Sequence, residues 1–130
     1  MKEIILQQTC PVFVEEISKD ETTLSSVDEI IGYLKVKIDD NPSVAYIAEF
    51  DHFAHTKSQK NGTVAPEIIA AKNILFCFGP KIPSAYMMAL KPRSIGISET
   101  TNGFVIAFTE APMPAVTNAM ISWAESIKNK

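Results

Sequence analysis

Asp51, His52 and His55 are the residues of this sequence best suited to chemistry. They stand in the string Glu49-Phe50-Asp51-His52-Phe53-Ala54-His55-Thr56-Lys57, just past an apolar run. An imidazole can move a proton near neutral pH or ligate a metal, and a neighbouring carboxylate can orient it. A His-x-x-His pair reaches a single ion only where the chain turns. Extended chain separates such Cα atoms by roughly 10 Å, whereas one helical turn puts positions i and i+3 on the same side. His52 and His55 are therefore weak metal candidates, with Asp51 as a third ligand or orienting group. Two histidines alone fall far short of a four-ligand pattern. The plainer reading is structural, with His52 hydrogen-bonding the backbone of a loop.

Lys57 and Lys81, with Arg93, can form a cationic mouth for a carboxylate or phosphate beside the histidines; otherwise they are solvated surface cations. No phosphate-cradling loop is present, because Gly32, Gly62, Gly79, Gly96 and Gly103 are scattered. There is no Gly-x-Ser-x-Gly elbow. Cys77 lies inside an apolar run, where a buried reduced thiol is expected. Acid–base chemistry by His52 with Glu99 is the remaining catalytic option. Met87 and Met88, with Met113 and Met120, suit either an adaptable apolar pocket or ordinary core packing.

These side chains need elements to hold them. Val12 to Ser18 alternates as a strand. Lys2 to Gln8 is an extra edge strand or a helical turn. Ser26-Val27-Asp28-Glu29 reads as a capping box. It is followed by Val27, Ile30, Ile31, Leu34 and Ile38 on one helical face, ended by Asn41-Pro42. Ser43 to Asp51 predicts a strand, apolar on both faces at its start and so interior. Asp51 to Ala65 predicts a long loop, and Pro66 to Lys72 a short helix with proline at its first position. Asn73 to Phe78 is a buried strand, and Pro83 to Leu90 a two-turn helix. Ser94 to Thr101 and Phe104 to Glu110 make a hairpin about Asn102-Gly103, with both turn residues at positive φ. Pro114 opens a last helix striped by Val116, Ala119, Met120, Trp123 and Ile127, with Lys128 and Lys130 at its negative end.

That turn opposes Glu99 to Ile106 and Ile97 to Phe108. Ile95, Ile97, Ile106 and Phe108 then form one apolar patch for the helices, with Glu99 at its margin. The other face carries Ser94, Gly96, Ser98, Thr100, Val105, Ala107 and Thr109, small enough to admit a second subunit or a flat ligand. The order β-α-β-(α)-β-α-β-β-α predicts an α+β fold of two layers, a mostly antiparallel sheet with helices packed on one face. Asp51-His52, Glu99 and Gly79-Pro80-Lys81 each end a strand. A shared sheet end then brings His52 and Glu99 into one pocket with Lys81 at its rim.

Length and charge bound the function. The chain has 130 residues, enough for one domain with a real core. Lys+Arg 12 against Asp+Glu 15 gives a net charge of −3, without the basic excess that tracks a phosphate backbone, so no nucleic-acid partner is expected. No run approaches the ~20 apolar residues of a membrane span, and the start lacks a signal-peptide core. A cytoplasmic protein without a membrane partner is expected, and Cys10 and Cys77 are expected not to pair.

The strings Phe50-Asp51-His52-Phe53-Ala54-His55-Thr56-Lys57, Phe78-Gly79-Pro80-Lys81 and Pro92-Arg93-Ser94-Ile95-Gly96, in that order, carry a resemblance. Between Val12 and Glu110 the chain resembles the bacterial domain-of-unknown-function family numbered three hundred and two, or a small uncharacterised bacterial family related to it. The family's Gly-Asn-Pro-Lys is Gly79-Pro80-Lys81 here, without the Asn. The resemblance implies a two-layer α+β domain, often dimeric, and no settled activity or cofactor. The leading expectation is a non-catalytic homodimeric binding module for a small ligand, partly apolar or anionic. Asp51, His52, His55, Lys57, Lys81 and Glu99 are its binding candidates. The alternatives are a small enzyme using Asp51, His52 and His55 with Glu99, a metal-binding protein, or an interaction domain presenting its sheet face.

Overall fold

Apolar alternation along the strands settles which side of the sheet the helices cover. A computed structural model describes residues 1–130. Its strands are β1 (Lys2–Leu6), β2 (Cys10–Ser18), β3 (Val44–Phe50), β4 (Ile68–Phe78), β5 (Arg93–Thr100) and β6 (Gly103–Thr109). They form one six-stranded sheet in the order β1-β2-β6-β5-β4-β3, with every neighbouring pair antiparallel. The helices are α1 (Val27–Asp39), α2 (His52–Ser58) and α3 (Pro114–Glu125). This is the α+β architecture expected, with α1 and α3 on one face. The long step from β2 to β3 is carried by α1, which runs along the covered face to the edge strand β3. The chain then returns strand by strand until β6 pairs with β2.

The core lies between that face and the two helices. Ile30, Ile31, Leu34 and Ile38 of α1 meet Ile74, Phe76, Ile95, Ile97 and Ile106 of the sheet, all of them buried. From α3 come Met120, Trp123 and Ala124, with Ile127 just beyond its end; Val116 and Ala119 of the expected stripe are only partly buried. Trp123 is edge-on to Phe76 and stacks on Phe78, with centroids 5.6 and 5.8 Å away. The Ser26 hydroxyl caps α1 by accepting from the Glu29 N–H at 3.0 Å. The reciprocal half of the expected box is missing. The Glu29 carboxylate accepts instead from the Ser25 hydroxyl at 2.5 Å, a charge-assisted bond that outcompetes a backbone N–H.

Several expectations need correction. The segment from 51 to 65 is not one loop, since α2 occupies its first half. Pro66 to Lys72 is not a helix: β4 begins at Ile68, because Ile68, Ala70 and Lys72 find partners on β5. Pro83 to Leu90 holds only a 3₁₀ turn at Ala85–Ala89. Lys2 to Gln8 resolves as the edge strand β1. β3 is the opposite edge rather than an interior strand. Its register with β4 shifts between Tyr46 and Ala48, and such a bulge discourages edge-to-edge pairing.

The hairpin register also differs. Thr100 pairs with Gly103 and Ile97 with Ile106, so the two turn residues are Thr101 and Asn102. The slip is two residues, an even number, so every side chain keeps its expected face. Asn102 does not adopt a positive φ; Gly103 does, at +154°. Gly103 is demanded by a close approach, because a Cβ there would sit 2.1 Å from the carbonyl oxygen of Ile17 on β2. At the end of β2, Ser18 N–H donates to Glu21 Oε1 at 2.9 Å and closes the turn Lys19–Glu21. That backbone bond, with the Ser18 hydroxyl, holds the Glu21 carboxyl below its usual range.

Three outcomes test this framework. Ile31→Ala should destabilise by roughly 2–5 kcal/mol through a core cavity. Asp28→Ala, which removes only the exposed partner of Lys72 at 2.7 Å, should cost less than about 1 kcal/mol. Equal denaturation midpoints for the two would contradict the helix register. Gly103→Val should cost roughly 1–3 kcal/mol or more by overpacking against β2, while Asn102→Ala stays within about 0.5 kcal/mol; thermal melts separate them. Glu21 has a folded pKa below its unfolded value, so its contribution is present at neutral pH and lost as pH falls through the depressed folded value. Glu21→Gln should flatten the acid limb of a stability–pH profile, and a parallel limb would contradict the assignment.

Candidate functional site

The short helix α2 turns the Asp51–His55 string onto the sheet face that α1 and α3 leave open. Asp51 is its N-cap, and Oδ1 accepts from the Ala54 N–H at 2.9 Å. After the helix the chain doubles back so closely that a Cβ on Gly62 would lie 1.8 Å from the Thr56 carbonyl oxygen. The His52 ring lies 3.0 Å from Asn73 Oδ1 through Nδ1. An amide oxygen only accepts, so Nδ1–H is the donor of this bond, and Nε2 is left without a partner. Asn73 sits opposite Gly96, on the face away from Ile74 and Ile95. Gly96 keeps that patch low, since a Cβ there would stand 3.5 Å from the Asn73 amide nitrogen.

Phe50 completes the cluster. Its ring centroid is 5.1 Å from that of His52 and 5.2 Å from that of His55, and the residue is 39% exposed. The histidine rings are 6.4 Å apart and nearly perpendicular. Beside them lies a shallow cavity of about 220 Å³ lined by His52, Phe53, Val64, Ala65, Ile68 and Ala71. The helical turn does bring His52 and His55 to one side. Asp51 is committed to its cap, and no group of three His, Cys, Asp or Glu side chains is placed to hold a metal ion.

The remaining candidates lie elsewhere. Glu99 is opposite Phe104 and Ala70, on the helix-covered face. Its carboxylate accepts from Lys19 Nζ at 2.6 Å, and the Lys19 ammonium also lies 5.8 Å from the centroid of the Phe104 ring. His52 is on the other side of the same sheet, so the pocket expected to join it to Glu99 does not form. Strand parity gives the reason: Glu99 shares a face with Ile95 and Ile97, Asn73 with Gly96. Lys81 lies beyond the far end of β4, where its carbonyl accepts from Lys91 Nζ at 2.8 Å. Lys57 extends along α2, with Nζ 5.7 Å from the centroid of the Phe53 ring. Arg93 joins neither lysine near the histidines; its Nη2 donates to the carbonyl and hydroxyl oxygens of Thr109.

Sequence reasoning missed Phe50 and Asn73. The period-2 pattern of β4 places Asn73 opposite in sense to Ile74, but only the pairing with β3 brings it beside His52. Cys10 and Cys77 are both free. No helix is long and apolar enough to cross a membrane.

No curated protein and no solved structure gives a significant match. One family does match, over residues 1–129. That span includes β1 and α3, which the Val12–Glu110 resemblance left out. It is a family of unknown function, as that resemblance implied, but not the one numbered three hundred and two. The chain belongs to the family described as "Family of unknown function (DUF6858)".

Proposed function

We propose that the chain acts as one domain, a non-catalytic cytoplasmic binding module that holds a small, partly apolar or anionic ligand against the His52 surface. The observation that carries this is the Phe50–His52–His55 cluster on the sheet face without helices, next to the low patch at Gly96. Aromatic rings with exposed faces suit a flat apolar body. The polar handles are the Nε2 of His52 and the amide of Asn73. Lys57 stands on the same short helix and supplies a nearby positive charge. The acid–base alternative has less support, because Glu99 is held by Lys19 across the sheet.

The homodimer is part of the same reading. Ile4, Val105 and Ala107 lie on the helix-free face and are only partly buried. A second copy seated there would cover them and wall the ligand surface.

A panel of aromatic carboxylates and their neutral amides, titrated into isotope-labelled protein, tests the site. Amide shifts should concentrate at Phe50–His55, Asn73 and Gly96, and affinity should fall about tenfold or more in His52→Ala. Unchanged affinity in that variant, or shifts confined to another face, would remove the proposal. Sedimentation equilibrium tests the assembly, with a monomer at all concentrations ending the dimer.

A further inference from the structure

Arg93 is the only arginine of the chain. It stands at the start of β5, partly buried at the end of the core. Its two guanidinium hydrogen bonds, both from Nη2, go to neutral oxygens of Thr109. Nε is buried with no hydrogen-bond partner, and Nη1 has no protein partner either. No carboxylate lies within ion-pair distance, whereas Lys2, Lys19, Lys72 and Lys128 all have one. Burial pushes the Arg93 pKa down, yet a guanidinium stays charged at neutral pH. A partly desolvated charge without a counter-ion is costly, and folded proteins normally pair it.

Two cavities meet at this side chain. One is an open cleft of about 660 Å³ lined by Arg93, Ser94, Thr109 and Glu110 among others. The second, about 180 Å³, is almost wholly apolar, with Phe78, Met87, Leu90, Met113 and Val116 as its walls and Lys91 at its edge. That is close to the roughly 150 Å³ at which an apolar cavity takes up a benzene-sized guest. Methionine walls adapt to varied aliphatic shapes. Met88 and Met113 extend the apolar surface outward, at 59% and 64% exposure.

We infer that this is a second binding site, for a small amphipathic monocarboxylate, with its carboxylate on Arg93 and its apolar tail between Met87, Leu90 and Val116. A planar guanidinium whose Nη1 hydrogens have no protein partner can donate to a carboxylate. Lys91, whose Nζ donates to the Lys81 carbonyl, adds a second positive charge at the rim. Glu110 lines the open cleft and disfavours a second negative charge there, so the site selects one carboxylate with an apolar body. The site does not depend on the His52 surface.

Trp123 stacks on Phe78, a wall of the apolar cavity, so its emission should report occupancy. Octanoate titrated into the full chain should change that emission saturably. Octanol, which keeps the tail and loses the charge, should bind at least about tenfold more weakly, a difference of about 1.4 kcal/mol. Arg93→Lys should lose octanoate affinity by a similar factor, and His52→Ala should keep it. Equal affinity for octanoate and octanol overturns the inference even where Arg93→Lys fails to fold. So does retained affinity in a folded Arg93→Lys, or loss in His52→Ala alone. The last result would place the carboxylate on the His52 surface instead.

Discussion

The dry contact between the stripe of α1 and the isoleucine face of the sheet decides where everything else in this protein goes. Ile30, Leu34 and Ile38 are fully buried against Ile74, Ile95, Ile97 and Ile106. Burial of each such side chain contributes roughly 1.5–3 kcal/mol relative to exposure. A slip of one residue in any strand would turn its apolar set to water, so register and parity are strongly specified. Parity then sorts the polar residues. Glu99 and Lys72 share the isoleucine side and find ionic partners at its margins, Lys19 and Asp28. Asn73 and Gly96 take the open side and meet α2.

Much of this was legible in the residues. The α1 stripe, its serine cap and the Ile95/Ile97/Ile106/Phe108 patch all follow from periodicities of 3.6 and 2. The patch withstood a misplaced turn because the slip was even. Local pattern misled where two elements share a signature. Ile68-Ile69-Ala70-Ala71-Lys72 suits a helix as well as a strand, and β5 decides by offering a ladder. Asp51 followed by a polar stretch reads as loop until the aspartate is seen to cap Ala54. The apolar start of β3 suggested an interior strand, yet Ile47 is half exposed on an edge.

The sites were less legible than the fold, for a different reason. Asp51, His52 and His55 announce themselves by type and spacing, because they are neighbours in the chain. Their partners are not. Asn73 is 21 positions from His52 and is brought to it only by the β3–β4 pairing. Arg93 reaches Thr109, 16 positions away, through a contact that no short string encodes. Linking His52, Glu99 and Lys81 treated strand ends as one place. In an antiparallel sheet successive strand ends alternate between the two ends of the sheet, and alternate residues between its two faces.

The two polar clusters that result differ in kind. Around His52 the protein answers part of its own polarity: Asp51 caps α2, and His52 Nδ1 and Asn73 Oδ1 bond each other. Such a surface can accept a ligand with little rearrangement and with little driving force beyond the area covered. Arg93 is the reverse case. Its Nε is unanswered, and its charge is balanced by the dipoles of Thr109 alone. Lysine in that position could reach solvent on its flexible stem, whereas a guanidinium held by Thr109 cannot leave. The tension is therefore local and fixed, at the junction of a polar cleft and an apolar one. An anion that relieved it would have to bring apolar surface with it.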